Sequence, residues 1–288
     1  MPCARAMQTS YCPGRDQLKR SAMEIPEQLL WPAIAIGSEA ADLPTIELGQ
    51  SRFGGTPDAP QTFRWPQWKG RPLSFLAQIN LAEVAGLACS IDLPKRGWLL
   101  FFYDAEETPW GYEPEDAGCS YVEFIDAPAD QLVRQTPPTG LSAEGVFAPA
   151  QLQFSPIRTT PDPWSIWLDG LTLTADDRFE LAERIDEGDE RYVCHQIGGH
   201  ASPIQGEMET ECQLVTNGIN CGGPSGYQSE KAVKLKPGAR DWRCLLQIDS
   251  DDDVGWMWGD SGRIYNWIRE ADLAQRDFSK CWLVLQCF

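Results

Sequence analysis

A short pattern occurs twice along this chain, in the same order each time. Each copy has a Gly-Gly pair, then an apolar run ending in Gln-Ile, then a glycine that opens an aromatic run. The first copy comprises Gly54-Gly55, PLSFLAQIN (72–80) and GWLLFFYD (97–104); the second comprises Gly198-Gly199, WRCLLQIDS (242–250) and GRIYNWIR (262–269). One duplicated unit explains this repeated order more simply than chance does.

The apolar runs are short, rich in aromatic residues and bounded by Gly, Pro or Asp, which is typical of strands. Six runs predict strands: SFLAQI, GWLLFFYD, SYVEFID, WRCLLQID, GRIYNWI and CWLVLQCF. Helices are predicted over 81–88 and 175–197, because the second segment repeats apolar residues near helical spacing. We therefore expect an α+β fold that is β-rich, with two related, internally duplicated halves of mostly antiparallel sheet and a few short helices.

The expected domain limits follow from the repeat and the length of 288 residues. Residues 1–22 are polar and predict a poorly ordered leader, 23–150 the first half and 151–288 the second half. The proline-rich region 126–164 is predicted to link them. The halves either fold separately or form one compact unit.

The chain carries a formal charge of −18. This charge disfavours binding to nucleic-acid phosphates or anionic lipid and attracts a basic protein. The alternative is that acidity only keeps the protein in solution. No apolar run has the roughly 18 residues of a membrane span, and the N-terminus lacks the apolar core of a secretory signal, so we expect a cytoplasmic protein with no membrane partner.

The ten cysteines are scattered, and no C-x-x-C occurs. Zinc sites need closely spaced ligand pairs, and disulfide frameworks belong to short secreted chains. The pattern predicts free thiols that act as small apolar side chains.

Two acidic segments contain aromatic residues and are candidate partner-binding loops. Trp beside carboxylates suits Lys and Arg side chains, through cation–π contact and ion pairing. The alternative is that these aromatic rings pack in the core. The predicted partner-binding residues are Trp110, Tyr112, Glu113, Glu115, Asp116, Asp251, Asp252, Asp253, Trp256, Trp258 and Asp260.

The second loop also allows a weaker interpretation as a calcium site. Asp249, Asp251, Asp253 and Asp260 fall at positions 1, 3, 5 and 12 of an EF-hand-like register. Position 6 is Val254 instead of Gly, and position 12 is Asp instead of Glu. We therefore expect no cofactor, with calcium as the alternative.

Histidine occurs only at positions 195 and 200. Cys194 and His195 are adjacent, and adjacent residues of a strand point to opposite faces, which argues against a Cys-His dyad. Nucleophile-elbow, P-loop and zinc-protease motifs do not occur. No catalytic residue is predicted, and an enzyme is the less favoured interpretation.

Several segments resemble the YwqG-like family of bacterial proteins. They are PLSFLAQINLAEV, WGYEPEDAG, HQIGGHASPIQGEME, LLQIDSDDDVGWMWGDSGRIYNWI and RDFSKCWLVLQC, and the resemblance covers most of residues 50–288. It implies an α+β fold with an internal duplication and no established activity. Members occur in loci that encode toxin and immunity proteins, which implies a role in neutralising a toxin.

The expected function is therefore a non-enzymatic protein-binding domain, an immunity-type inhibitor of a basic bacterial toxin. One alternative is a regulatory protein that binds a divalent cation or a small ligand. The other is a hydrolase of unfamiliar type, with its site near His195, His200 and Glu207.

Overall fold

A computed structural model describes residues 25–188 and 195–288 of the chain. The predicted leader, residues 1–22, and Cys194 lie outside the described residues. The strands are β1 (Trp31–Ala40), β2 (Arg52–Phe53), β3 (Asp58–Pro60), β4 (Gln67–Trp68), β5 (Arg71–Pro72), β6 (Ser74–Asn80), β7 (Trp98–Tyr103), β8 (Ser120–Ile125), β9 (Leu132–Arg134), β10 (Ala150–Thr159), β11 (His195–Gly198), β12 (Trp242–Asp249), β13 (Arg263–Arg269) and β14 (Trp282–Gln286).

The helices are short and lie mostly in the second half. They are α1 (Leu81–Val84), α2 (Ala175–Gly188), α3 (Glu209–Val215), α4 (Pro224–Gln228), α5 (Glu230–Leu235) and α6 (Glu270–Ala274). Short 3-10 helices are Glu27–Leu29, Leu43–Thr45, Pro114–Asp116, Ala129–Gln131, Ala143–Gly145, Ile166–Leu168, Lys236–Asp241 and Phe278–Lys280. No helix in the described part of the chain is long and apolar enough to cross a membrane.

Ten strands form one antiparallel sheet, in the order β14-β13-β12-β11-β1-β10-β2-β6-β7-β8. The central pair is β1 with β10, in register from Trp31 opposite Thr159 to Ala40 opposite Ala150. β1 also pairs with β11, and β10 pairs with β2. Each half of the chain thus places its long first strand beside strands of the other half, and both halves share one sheet.

All six predicted strands are confirmed, as β6, β7, β8, β12, β13 and β14. The predicted linker is wrong, because 126–164 includes β10, which lies at the centre of the sheet. Both predicted helices are shorter than expected: α1 ends at Val84, and α2 ends at Gly188, while His195–Gly198 is strand β11. Residues 189–194 of the second prediction lie outside the described part.

The Gly-Gly pairs lie at the ends of strands β2 and β11. Gly54, Gly55, Gly198 and Gly199 all have positive φ, the left-handed conformation that favours glycine. Gln78 Oε1 accepts a hydrogen bond from Asp58 N at 2.7 Å, and Gln247 Oε1 accepts one from Ser202 N at 2.9 Å. Each of these N–H groups lies three residues after its Gly-Gly pair. The repeated residues therefore make the same backbone turn and the same side-chain contact.

A buried ion pair braces the first half of the sheet. Arg52 Nη1 lies 2.7 Å from Asp58 Oδ2, and both side chains are fully buried. Arg134 Nε lies 2.9 Å from Asp58 Oδ1. Burial opposes ionisation of Asp58, but Arg134 and Arg52 outweigh it and hold the pKa of this carboxyl below its usual value. The two guanidinium groups thus keep the carboxylate charged in the interior.

The main core joins the two halves. The turn between β12 and β13 packs against first-half residues: the rings of Phe53 and Trp256 lie 4.8 Å apart, and Ala148 N donates to Val254 O at 3.2 Å. The two ends of the sheet also approach each other, since Phe124 in β8 lies 5.6 Å, ring to ring, from Phe278 just before β14. The sheet therefore curls around a core to which both halves contribute.

Candidate functional site

An open groove of about 580 Å³ lies between the segment that follows β7 and helices α3 and α4. Two of the predicted partner-binding residues, Trp110 and Tyr112, line it. They face Glu211 from α3, Cys221 from the following loop and Tyr227 from α4. We call this the aromatic–acidic groove.

The backbone of the Trp110 segment is fixed by contacts with other elements. Leu285 N donates to Trp110 O at 2.9 Å, and Cys221 N donates to Tyr112 O at 2.8 Å. Gly111 has φ +87°, and a Cβ at this position would lie 1.9 Å from Leu283 O. Only glycine fits such a close approach to β14. The groove wall is thus held against the sheet edge.

Glu211 is the titratable acid of the groove at neutral pH. Its Oε2 accepts a hydrogen bond from Tyr227 Oη at 3.0 Å. Burial raises the pKa of Glu211 to about 7 and that of the Cys221 thiol to about 11. The thiol is therefore protonated and weakly nucleophilic at neutral pH. The carboxyl changes charge near neutral pH.

The other acidic residues of the Trp110 segment have separate roles. Asp116 Oδ2 accepts from Gly111 N at 3.0 Å and so supports the loop; burial raises the pKa of this carboxyl. Glu113 Oε1 accepts from Asn220 Nδ2 at 3.3 Å. Glu115 is exposed. Aromatic rings beside a carboxylate form a site suited to a cationic group when the carboxylate is ionised.

The second predicted loop is placed differently. Trp256 and Trp258 are 1% and 2% exposed, and their rings pack on Phe53, Phe147 and Tyr103. Their assignment to a partner-facing surface is wrong, because the turn folds inward to fill the core between the halves. Its exposed carboxylates belong to Asp252, Asp253 and Asp260.

The EF-hand-like register does not bring its carboxylates together. Asp249 Oδ2 pairs with Arg263 Nε at 2.8 Å. Asp251 is buried and accepts from Ser38 Oγ at 2.7 Å. Among residues 25–188 and 195–288, no three His, Cys, Asp or Glu side chains are placed to hold a metal ion. Asp249 and Asp251 thus have partners within the protein.

The two histidines lie in separate hydrogen-bond networks. His195 Nδ1 accepts from Asp249 N at 3.0 Å, so Nε2 carries the proton and lies 3.2 Å from Asp251 Oδ2. Ser38 donates to the same carboxylate instead of to the imidazole. This order differs from a Ser-His-Asp triad, in which the imidazole bridges the other two groups. His195 is fully engaged as a structural residue.

His200 lies against Trp31, with ring centroids 4.0 Å apart. Its Nε2 donates to Leu29 O at 2.9 Å. Burial lowers the pKa of His200 to about 4, so the ring is neutral at pH 7. Its role is packing between β1 and the loop after β11.

Sequence reasoning did not single out Tyr227 or the position of Glu211. Glu211 belongs to the acidic run EMETE, in which no residue is distinguished by sequence alone. Gly222, Gly223 and Pro224 line the groove where the chain enters α4. For Tyr227, the local signal in the sequence is its position shortly after the glycine pair Gly222-Gly223.

The fold and the groove define a β-rich protein with a curled antiparallel sheet and an aromatic–acidic groove at its edge. Residues 51–287 match the family described as "Domain of unknown function (DUF1963)", and the chain belongs to that family. The search of the curated proteins finds no match.

Proposed function

We propose that this chain is a non-enzymatic protein-binding domain whose aromatic–acidic groove receives a Lys or Arg side chain of a basic partner. The observation that carries the proposal is the Glu211 carboxyl, held by Tyr227 in a groove walled by Trp110 and Tyr112. A bound cation would gain charge attraction from the carboxylate and cation–π attraction from the rings.

The net charge of −18 supports the same partner chemistry. A negative field raises the rate at which a basic protein meets this surface, and the aromatic rings slow its release. Rising salt should therefore reduce the association rate, because counterions screen the field beyond about 10 Å at 0.1 M.

For the partner, we propose a basic bacterial toxin that this protein neutralises in the cytoplasm as an immunity-type inhibitor. The support is the resemblance to YwqG-like proteins, a narrower label that we propose within the matched family. Coexpression with a basic toxin encoded beside its gene should restore growth. If this protein is abundant and folded in the cells but growth is not restored, the toxin assignment is contradicted. Binding of a basic partner in the groove is then tested separately, by the peptide experiment below.

We also propose that the two halves derive from one duplicated unit. The equivalent contacts of Gln78 and Gln247, each to an N–H three residues beyond a Gly-Gly pair, support it.

The binding test uses a fluorescein-labelled arginine-rich peptide and a matched peptide with Gln in place of Arg. Fluorescence anisotropy should detect binding of the first peptide, with affinity that increases between pH 6 and pH 8 as Glu211 ionises. The Glu211→Gln variant should bind about tenfold more weakly, equivalent to about 1.4 kcal/mol, and lose the pH dependence. Glu47→Gln removes an exposed carboxylate that does not line the groove and is the control. Equal binding by the folded Glu211→Gln variant and the control would refute the proposal.

A further inference from the structure

A second groove, of about 560 Å³, lies where the two ends of the sheet approach each other. Its aromatic lining comes from Tyr121 in β8, Trp242 in β12 and Trp282 in β14. This volume falls within the roughly 300–1,000 Å³ typical of small-molecule sites. We call it the Arg269 groove, after one of the two cationic residues that line it.

Arg269 and Arg263 end the same strand, β13, but differ in their partners. Arg263 pairs with Asp249. Arg269 lies over the Trp242 ring, with Cζ 4.8 Å from the centroid, and donates from Nη2 to Thr216 Oγ1 at 3.1 Å. Within residues 25–188 and 195–288 it makes no ion pair with a carboxylate. A guanidinium has five N–H donors, so four remain for a ligand.

The stacking of Arg269 on Trp242 orients the guanidinium before any ligand binds. Arg in a fixed plane binds a carboxylate through two parallel hydrogen bonds, which makes it more selective for planar anions than Lys. Both Trp242 and Thr216 restrain the same side chain. The guanidinium that the groove presents is therefore held in one orientation.

Other groups around the groove define the rest of the ligand. Lys280 is exposed on the lining and adds a second positive charge. Burial, together with Glu123, raises the pKa of Tyr121 to about 12, so its phenol stays neutral and keeps its proton. Asp272 also lines the groove and opposes a ligand with more than one negative charge.

We propose that the Arg269 groove binds a small aromatic monocarboxylate. The carboxylate pairs with Arg269, the exposed Lys280 adds attraction, and the flat body of the ligand packs against Tyr121 and Trp282. This groove shares no lining residue with the aromatic–acidic groove and takes a ligand of opposite charge.

The test is calorimetric titration of the full chain with indole-3-propionate and with its neutral counterpart indole-3-propionamide. The two probes share one shape and differ in charge. The carboxylate should bind with a dissociation constant below about 1 mM, which is a weak small-molecule affinity. The amide should bind at least tenfold more weakly. Equal affinities, or no detectable binding of the carboxylate, would overturn the proposal.

Variants assign the binding to this groove. Arg269→Gln should weaken carboxylate binding at least tenfold. Lys280→Gln should weaken carboxylate binding about threefold. Because Lys280 is exposed, this variant should fold, and the test remains valid even if Arg269→Gln does not fold. Arg64→Gln, an exposed charge outside the groove, is the matched control and should bind unchanged. Binding unchanged in the folded Lys280→Gln and Arg269→Gln variants would place the ligand elsewhere.

The Glu211→Gln variant separates this proposal from the binding of a basic partner. It should bind indole-3-propionate as the unaltered protein does, since Glu211 does not line the Arg269 groove. If Glu211→Gln loses only arginine-peptide binding, that result bears on the aromatic–acidic groove. If the Arg269 and Lys280 variants lose only carboxylate binding, that result bears on the Arg269 groove.

Discussion

Tyr227 Oη donates a hydrogen bond to Glu211 Oε2 at 3.0 Å, at a position where burial raises the pKa of the carboxyl to about 7 from 4.5. The folded state therefore holds this proton more tightly than the unfolded state does. The resulting stability is fully present below pH 4.5 and is lost as the pH rises through 7.

The Glu211→Gln variant should accordingly lose less stability between pH 5 and pH 8 than the unaltered protein, by about 2 kcal/mol. Urea unfolding at both pH values measures this difference. Glu207 and Glu209 also make stability depend on pH, but they do so equally in both proteins, so their effect cancels in the comparison. Glu47→Gln should show the same pH dependence as the unaltered protein, and an equally steep dependence in Glu211→Gln would contradict the assignment.

Asp58→Ala should destabilise the protein by about 3–5 kcal/mol, because it leaves the buried Arg52 without its counter-charge. The lowered pKa of Asp58 also makes its contribution present at neutral pH and lost only as the pH falls through that lowered value. Urea unfolding at pH 7 measures the loss. Asp130→Ala, at an exposed position, should change stability by less than about 0.5 kcal/mol.

Gly54→Ala should destabilise far more than Gly70→Ala, although both glycines have positive φ. A Cβ at Gly54 would lie 2.0 Å from Ala148 O, whereas nothing lies within 4 Å of a Cβ at Gly70. The Gly70 variant should lose about 1 kcal/mol from backbone strain alone, and the Gly54 variant several times more. Thermal unfolding compares them, and similar melting temperatures would contradict the close approach.

Trp256→Ala should cost about 3–5 kcal/mol, since it removes a buried ring that contacts Phe53 and Phe147. Met257→Ala alters the adjacent residue, which is 57% exposed, and should change stability by less than about 0.5 kcal/mol. Urea unfolding of the two variants measures the contrast. If Trp256→Ala were as mild as Met257→Ala, the turn would not be part of the core.

The predicted strands were those whose own residues carry the signal. β7 is apolar throughout and buried throughout, so its run WLLFFY identifies it. β10 alternates instead between buried residues such as Leu152 and exposed ones such as Gln153, and it contains Pro156. Its partner β1 lies more than a hundred residues earlier, so the ladder that stabilises it is not visible in either segment.

The candidate site was predicted in part. Trp110 and Tyr112 were identified from their acidic, aromatic segment, and they line the groove. The similar segment around Trp256 is buried because its turn projects into the space between the halves. Glu211 and Tyr227 acquired their role only when α3 and α4 packed beside the Trp110 segment.

The sequence by itself determined the six outer strands, the repeated Gly-Gly turns and the acidic charge, since these depend on local composition and on backbone conformation at single residues. Only the tertiary structure decided which aromatic loop faces the groove, which arginine pairs with a carboxylate and that both halves share one sheet. The physical reason is that the burial and the pairing of a side chain depend on residues distant in the chain. Those residues shift the pKa of a carboxyl or cover an aromatic ring, and the local sequence around that carboxyl or ring does not reveal them.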